Sequence, residues 1–594
     1  MFTWSDEDLN EAQSRAVKDN RNIFLVACPG SGKTKTLTYK IAYELSCPSI
    51  NNRKVVAITY THRAADEIRE RIEGLGINTV RLWIGTIHAF CLEWILKPYC
   101  IYDERISSGC NIIDMHQREE LLKRLCNELK APKINNFDCD YYYTSKEIIL
   151  ACKDEKKHDN ISLALERYFD YLRSCNLIDF ELLLKISHDL IASNSKIPRH
   201  LSSLFEIVLI DEFQDTKEIQ YSIIATILSS AKDKTRLFLV GDPNQAIYGS
   251  LGGYPITIEE LRHITDMEIE QFSLDFNYRS SSRIIDYYQC FKVFGSNIIP
   301  KGHNKEYPSV VRYNKEIDSD NIVDEIASKV VASVDDHNIS PDQICIIAPQ
   351  WFYLASITRK LASKLPMYKF NGPGLSPIAR DVENFWYKLS RIALTNPSPQ
   401  MYMRRMRWAK EILAELSECG VYLGEINERK FLRCCNALNI MQTNGLEYLQ
   451  DFFDKALSAC DIDIADFQYL LDKKKYFLES SWLRIERLQK EDIEGADGIE
   501  YFKSFFDANK GINVSTIHGV KGGEYDVVIA FGLLDGMVPH FTEKEKDLSS
   551  KKLLYVIGSR ARKYLYLYSE AGRKRKFGFY PPTEVLKKIN YEYN

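Results

Sequence analysis

Ala27-Cys28-Pro29-Gly30-Ser31-Gly32-Lys33-Thr34 is the stretch that decides the fold of this chain. It follows an apolar run, Ile23 to Val26, and precedes a helix-like stretch, Lys35 to Leu45. A buried strand, a glycine-rich turn and a helix in that order form a phosphate-binding loop. Gly30 and Gly32 let backbone N–H groups close around phosphate oxygens, where a side chain would stand in the way. The helix that follows presents its positive end to the anion. Lys33 is suited to bridge the β- and γ-phosphates, and the Thr34 hydroxyl to bind Mg2+. Pro29, Gly30, Ser31, Gly32, Lys33, Thr34 and Lys35 are therefore the candidate cradle for ATP with Mg2+. Position 27 holds Ala where the general pattern has Gly.

A second stretch supports the first. Ile207-Val208-Leu209-Ile210 is a short apolar run that reads as a buried parallel strand, and it ends in Asp211-Glu212-Phe213-Gln214-Asp215. A carboxylate at the end of such a strand can hold Mg2+, which falls to Asp211. Glu212 is then placed to orient and deprotonate the attacking water.

Bulk composition sets limits. A length of 594 residues suggests about four structural domains. The net charge of −4 leaves no global basic excess, so a nucleic-acid site must be a local groove. The fifteen cysteines are scattered with no Cys-x-x-Cys. That argues against structural zinc or an iron–sulfur cluster and for reduced thiols in the cytoplasm. Met1 to Glu11 is polar and acidic, unlike a signal peptide, and no apolar run approaches the ~20 residues that span a bilayer.

Further motifs follow in order. Gln13, upstream of the phosphate loop, carries the donor and acceptor that read an adenine edge. Val55 to Thr61 reads as a strand running into a helix start; Thr59, Thr61 and Arg63 are suited to phosphate contacts and Tyr60 to stacking on a base. Gly85-Thr86-Ile87-His88 opens another helix, with Thr86 and His88 as polar contacts. Leu237 to Val240 is a fourth apolar strand. Gln245, just beyond it, is suited to sense the γ-phosphate and pass the signal to bound nucleic acid. In Asn277-Tyr278-Arg279-Ser280, Tyr278 is suited to stack on adenine and Arg279 to neutralise γ-phosphate charge. Val514 to His518 leads into Val520-Lys521-Gly522-Gly523-Glu524, and Arg560 in Gly558-Ser559-Arg560 is the second arginine of that kind.

These motifs, in this order from Gln13 to Arg560, resemble the superfamily 1A DNA helicases of the UvrD/Rep/PcrA-like group. Asp-Glu-Phe-Gln-Asp at 211–215, Asn-Tyr-Arg-Ser at 277–280 and Lys-Gly-x-Glu at 521–524 are specific to that group. The resemblance implies an α/β fold of two RecA-like parallel-sheet motor domains, each with a mainly helical insertion, and ATP between the two. It implies ATP-driven 3′→5′ movement on single-stranded DNA, with Arg279 and Arg560 supplied by the second motor domain. It also implies that Glu524 contacts the nucleotide sugar and that Tyr60, Thr86, His88, Tyr248 and His518 line the DNA path. The implied organisation is motor domain 1A at 1–92 and 183–275 around insertion 1B at 93–182. Motor domain 2A then occupies 276–385 and 505–594, around a compact insertion 2B at 386–504.

The family pattern is broken in two places. After Tyr248-Gly249 the family has an aromatic residue and an Arg; here Ser250 and Leu251 stand there. One stacked base is worth roughly 1–3 kcal/mol, so a looser grip on single strands and weak unwinding by the protein alone are expected. Ser549-Ser550-Lys551-Lys552 replaces the usual Glu-Glu-Arg-Arg. The basic run Arg573 to Lys576 is suited to phosphate backbone or to solvent. Besides a motor acting on single strands and 3′-tailed duplexes, the sequence admits an ATP-gated DNA sensor that controls a partner. The compact insertion and the missing ring resemble helicase subunits of bacterial anti-phage defence systems such as Gabija, where the partner is a nuclease; the motor motifs are shared with DNA-repair helicases.

Overall fold

The computed structural model describes residues 2–48, 52–113, 115–231, 234–381, 384–491, 493, 495–506, 511–543, 545–575 and 578–594. Lys576 of the basic run lies outside them. The chain divides into two compact units. The first comprises Met1–Val311, Val538–Lys563 and Thr583–Asn594; the second comprises Arg312–Met537 and Tyr564–Pro582.

The first unit is built on a six-stranded sheet. Its strands are β1 (Asn22–Ala27), β2 (Lys54–Thr59), β3 (Leu82–Thr86), β4 (Phe205–Asp211), β5 (Arg236–Gly241) and β6 (Ile269–Leu274), in spatial order β6-β1-β5-β4-β2-β3. Every neighbouring pair is parallel. Parallel strands need both faces covered, and the residues alternate accordingly. Ile23, Leu25, Val55, Ala57, Ile207, Leu209, Phe238 and Val240 share one core with residues of α1 (Glu11–Lys18), α2 (Lys33–Ser46) and α3 (His62–Gly74). Phe24, Val56, Ile58, Val208, Ile210, Leu237 and Leu239 belong to the core on the opposite face.

Residues 93–182, expected as a helical insertion, include α4 (Met115–Glu128) and α5 (His158–Ser174) around their own cluster of Leu122, Leu125, Ile161, Leu165 and Tyr168. The return to the sheet is fixed at Asp179. One carboxylate oxygen caps α6 (Phe180–Ser193) by accepting from Leu182 N at 2.9 Å; the other accepts from the Tyr141 and Tyr168 hydroxyls at 2.6 and 2.9 Å.

The second six-stranded sheet comprises β7 (Val310–Asn314), β8 (Ile344–Ala348), β9 (Phe370–Asn371), β10 (Ile512–Thr516), β11 (Tyr525–Ala530) and β12 (Ala561–Tyr568), in order β7-β12-β11-β8-β10-β9. β8 pairs in parallel with both β10 and β11. Inserted between β9 and β10 are α7 (Phe385–Ala393), α8 (Pro399–Glu418), α9 (Glu428–Ala437), α10 (Gly445–Ser458), α11 (Gln468–Lys490) and α12 (Ile499–Phe506). They pack around fully buried Trp386, whose indole N–H donates to Leu470 O at 2.7 Å. The chain is thus α/β with two RecA-like parallel-sheet cores. By contacts, residues 276–311 and 538–563, the latter holding α13 (Lys546–Gly558), group with the first sheet.

Candidate active site

Three loops of the first unit leave neighbouring strands on the same edge of the sheet. β1, β5 and β4 are consecutive, with Val26 opposite Gly241 and Val240 opposite Asp211. Parallel strands bring their C-terminal ends together. The phosphate loop after β1, Asp242 to Gln245 after β5, and Asp211-Glu212 ending β4 therefore gather where open α/β sheets bind ligands.

The phosphate loop has the backbone its glycines predict. Gly30 has φ +68° and Gly32 φ +81°; a Cβ on Gly30 would lie 2.7 Å from Arg279 Cβ, and one on Gly32 2.7 Å from Gln13 Nε2. No side chain caps α2, whose N-cap is Gly32, so its first-turn N–H groups remain available to an anion. These features fit a nucleotide phosphate. Lys33, whose side chain is largely buried, lies 3.9 Å from Glu212 Oε1. Thr34 is partly exposed, and Lys35 stands over the Tyr39 ring at 5.7 Å.

The loop is held by residues remote in sequence. Gln13 donates from Nε2 to Ser31 O at 2.8 Å while its Oε1 accepts from Asn10 N, so the amide suited to read adenine also braces the loop. Asn277 Nδ2 donates to Pro29 O at 2.7 Å, Tyr278 N to Gly30 O at 2.9 Å, and Asn10 Nδ2 to the Tyr278 hydroxyl at 2.8 Å. The Arg279 guanidinium donates to Ser559 O at 2.8 Å, next to Arg560.

A polar relay runs behind the site. Glu212 takes a left-handed backbone, φ 52°, directly after the strand, and its N–H donates to Asp211 Oδ1 at 3.0 Å. Gln214 donates to Glu212 and accepts from Asp242 N at 2.9 Å. Asp242 Oδ2 accepts from Gln245 Nε2 at 2.6 Å, and Gln245 Oε1 accepts from Arg560 Nη2 at 2.7 Å. Gln245 and Arg560 are each only 2% exposed. Burial raises the Asp242 carboxyl above its ordinary range, against the pull of Lys33. Asn10, Gln214, Asp242 and Asn277 received no role from sequence. Each sits within or beside a recognised motif, which was the available signal, but their partners lie far along the chain.

The residues suited to contact DNA separate by exposure. Tyr60 and Arg63 are exposed, and Tyr60 lies 4.9 Å from the half-buried Tyr248 ring, so these two aromatics form one platform. Thr59 and Thr86 are buried: Thr59 donates to Thr61 O at 3.0 Å, and Thr86 accepts from Ala89 N at 3.3 Å as a helix cap. His88 packs edge-on against Phe180, and burial, then Lys217 and His62, lower its pKa to about 4. Ser250 and Leu251 are exposed in a short turn and present no ring. His518 and Glu524 belong to the second unit, in the connection between β10 and β11.

Residues 9–265 match the UvrD/REP helicase N-terminal domain, and residues 500–571 match the UvrD-like helicase C-terminal domain. Together the two matched segments define the class: the chain belongs to the UvrD-like helicases of superfamily 1A. It is similar to the probable DNA helicase II homolog of Mycoplasma genitalium, at 23% identity across 94% of this chain and 84% of that protein. It is similar to the ATP-dependent DNA helicase PcrA of Leuconostoc citreum, at 24% identity across 95% and 82%. DNA helicase II of Escherichia coli is 31% identical over 47% of this chain and 39% of its own length. The protein is an ATP-dependent DNA helicase. Among the described residues no helix is long and apolar enough to cross a membrane, and no cluster of His, Cys, Asp or Glu is arranged to hold a metal ion.

Proposed function

We propose that this helicase moves 3′→5′ on single-stranded DNA, enters duplexes from a 3′ tail, and unwinds efficiently only with a partner protein. The observation that carries the reading is the buried relay from Glu212 through Gln214, Asp242 and Gln245 to Arg560. It connects the candidate water-activating carboxylate to a candidate γ-phosphate arginine through the buried side chains of Gln214, Asp242 and Gln245.

Bound ATP with Mg2+ supplies the phosphoanhydride to be cleaved. The backbone at Gly30 to Gly32 and Lys33 would hold its phosphates, and Thr34 and Asp211 its Mg2+. Glu212 positions the attacking water and takes its proton. Arg279 and Arg560 offset charge as the γ-phosphoryl group departs. Gln13, Tyr278 and Glu524 hold the base and sugar. Tyr60 and Tyr248 stack on a DNA base, with Thr59, Arg63, Thr86, His88 and His518 as further strand contacts. The six-segment division into two motor domains with two insertions, and residence in the cytoplasm, belong to the same proposal.

Strand displacement on 3′-tailed and 5′-tailed duplexes tests it. Displacement confined to 3′ tails supports the polarity; equal or reversed preference overturns it. The exposed Ser250-Leu251 turn favours a second reading, a DNA-sensing subunit whose ATP cycle controls a partner nuclease in defence or repair. Under that reading DNA stimulates hydrolysis without strand displacement.

A further inference from the structure

A cavity of about 490 Å³ opens in the helical segment between α8 and α9. Its size is that of a small-molecule site. Arg405, Arg429 and Arg433 line it, and among the described residues no Asp or Glu does. Tyr402, Met406 and Leu432 supply its apolar wall.

Arg405 is the unusual member. It is 3% exposed, and among the described residues its guanidinium donates to neutral oxygens: Ile392 O at 2.9 Å, Thr395 O, Thr395 Oγ1 at 2.7 Å and Asn436 Oδ1 at 2.6 Å. Among the described residues it has no carboxylate partner. A buried cation without a counter-charge is costly. The nearby carboxylates are committed elsewhere: Glu411 pairs with Arg391 at 2.7 Å and Glu415 with Lys388 at 2.8 Å. Glu428 lines the neighbouring cleft instead, beside Arg407 and Lys410.

Arg429 and Arg433 strengthen the case. They stand one turn apart on α9, exposed, with no ion pair or hydrogen bond among the described residues. Like charges at that spacing repel, and Arg429 lies in the first turn, where the helix dipole disfavours a cation. A bound anion relieves all three arginines. Arg favours phosphate because its planar fork donates in pairs.

We propose that this cavity is a second anion site, separate from the phosphate loop, that takes a phosphate monoester carrying a flat ring: the phosphate on Arg405, Arg429 and Arg433, the ring against Tyr402 and Met406. Either a free mononucleotide or the 5′-phosphate end of a nucleic-acid strand supplies that chemistry.

The test is calorimetric titration of the full chain in a Lys33→Ala background, which weakens the phosphate loop. Adenosine 5′-monophosphate, adenosine, inorganic phosphate, and one short oligonucleotide with and without its 5′-phosphate are the probes. Binding of the monophosphate or the phosphorylated strand, weakened about tenfold or more by Arg429→Ala/Arg433→Ala, is the expected result. Both substitutions are on exposed side chains, so the variant keeps its fold; Arg405→Met, checked by circular dichroism, is a second probe. A preference for the phosphorylated strand over its hydroxyl form assigns the strand end, and monophosphate binding without that preference assigns the free nucleotide. Arginine-independent binding, or no phosphate binding, overturns the site. Inorganic phosphate binding as tightly as the monophosphate overturns the ring contact. Arginine-dependent binding of an acidic peptide alone overturns the ligand class.

Discussion

Arg560 donates its guanidinium to Gln245 Oε1 at 2.7 Å, joining two motifs 315 residues apart inside a buried interior. Gln245 in turn holds Asp242, which meets the Gln214 that holds Glu212. Glu212, the proposed hydrolytic carboxylate, and Arg560 are therefore linked through side-chain and backbone hydrogen bonds.

Arg560→Ala and Gln245→Ala are expected to be non-additive. Steady-state ATP hydrolysis with single-stranded DNA should fall by roughly 10³-fold or more in Arg560→Ala, the lower range for an arginine of this kind. A double-mutant cycle on thermal stability should return a coupling of about 0.5–3 kcal/mol. Additive effects would show that the contact transmits nothing.

Glu212→Gln keeps the shape of the side chain and its hydrogen bond with Gln214. Loss of the general base should lower kcat roughly 10²–10⁴-fold while nucleotide binding persists. A variant retaining wild-type turnover would transfer the proton to another group.

Ser250→Phe restores a ring beside the Tyr60–Tyr248 pair. Single-strand affinity measured by fluorescence anisotropy should tighten by roughly 1–3 kcal/mol, the value of one stacked base. Tyr60→Ala should weaken binding by a similar amount. No change in either would remove this turn from the DNA path.

Thermal stability should fall in acid in two stages. His88 is held near about 4 by burial, below an unfolded value of about 6.5. Below that unfolded value the unfolded chain gains a proton first, so stability declines from about pH 6.5 down to about 4. Glu44 is pulled below its ordinary value because Arg236 and Lys40 outweigh the opposing effect of burial. Its contribution is present above about pH 4.5 and is lost as pH falls through the lowered value. Melting temperatures of Glu44→Gln and wild type should therefore converge in strong acid and stand apart at neutral pH. A constant difference across the range would exclude the linkage. Glu44→Ala strands Lys40, itself 0% exposed as a residue, and should cost about 3–5 kcal/mol at neutral pH.

The backbone of the site was legible because it is local. Strand, glycine turn and helix at 22–46, and the strand ending in Asp211, are each encoded by a contiguous run of residues. The α/β class followed from those runs. Partner choice was not legible. Gln13 carries an amide suited to an adenine edge, and nothing local to it shows that its Nε2 donates to Ser31 O; nor does the stretch around Asn277 show that its Nδ2 donates to Pro29 O.

Sequence alone thus determined the phosphate loop, the strand ending in Asp211 and the family, because each depends on residue type at short spacing and, in the loop, on backbone freedom at Gly30 and Gly32. Only the tertiary structure decided that β5 lies between β1 and β4, that Asn277 and Tyr278 clamp the phosphate loop, and that Arg560 meets Gln245. It also left Arg405 buried with no carboxylate partner among the described residues. Strand order and long-range hydrogen bonds arise from packing both faces of a parallel sheet, and no local pattern specifies which distant side chain fills the space behind a loop.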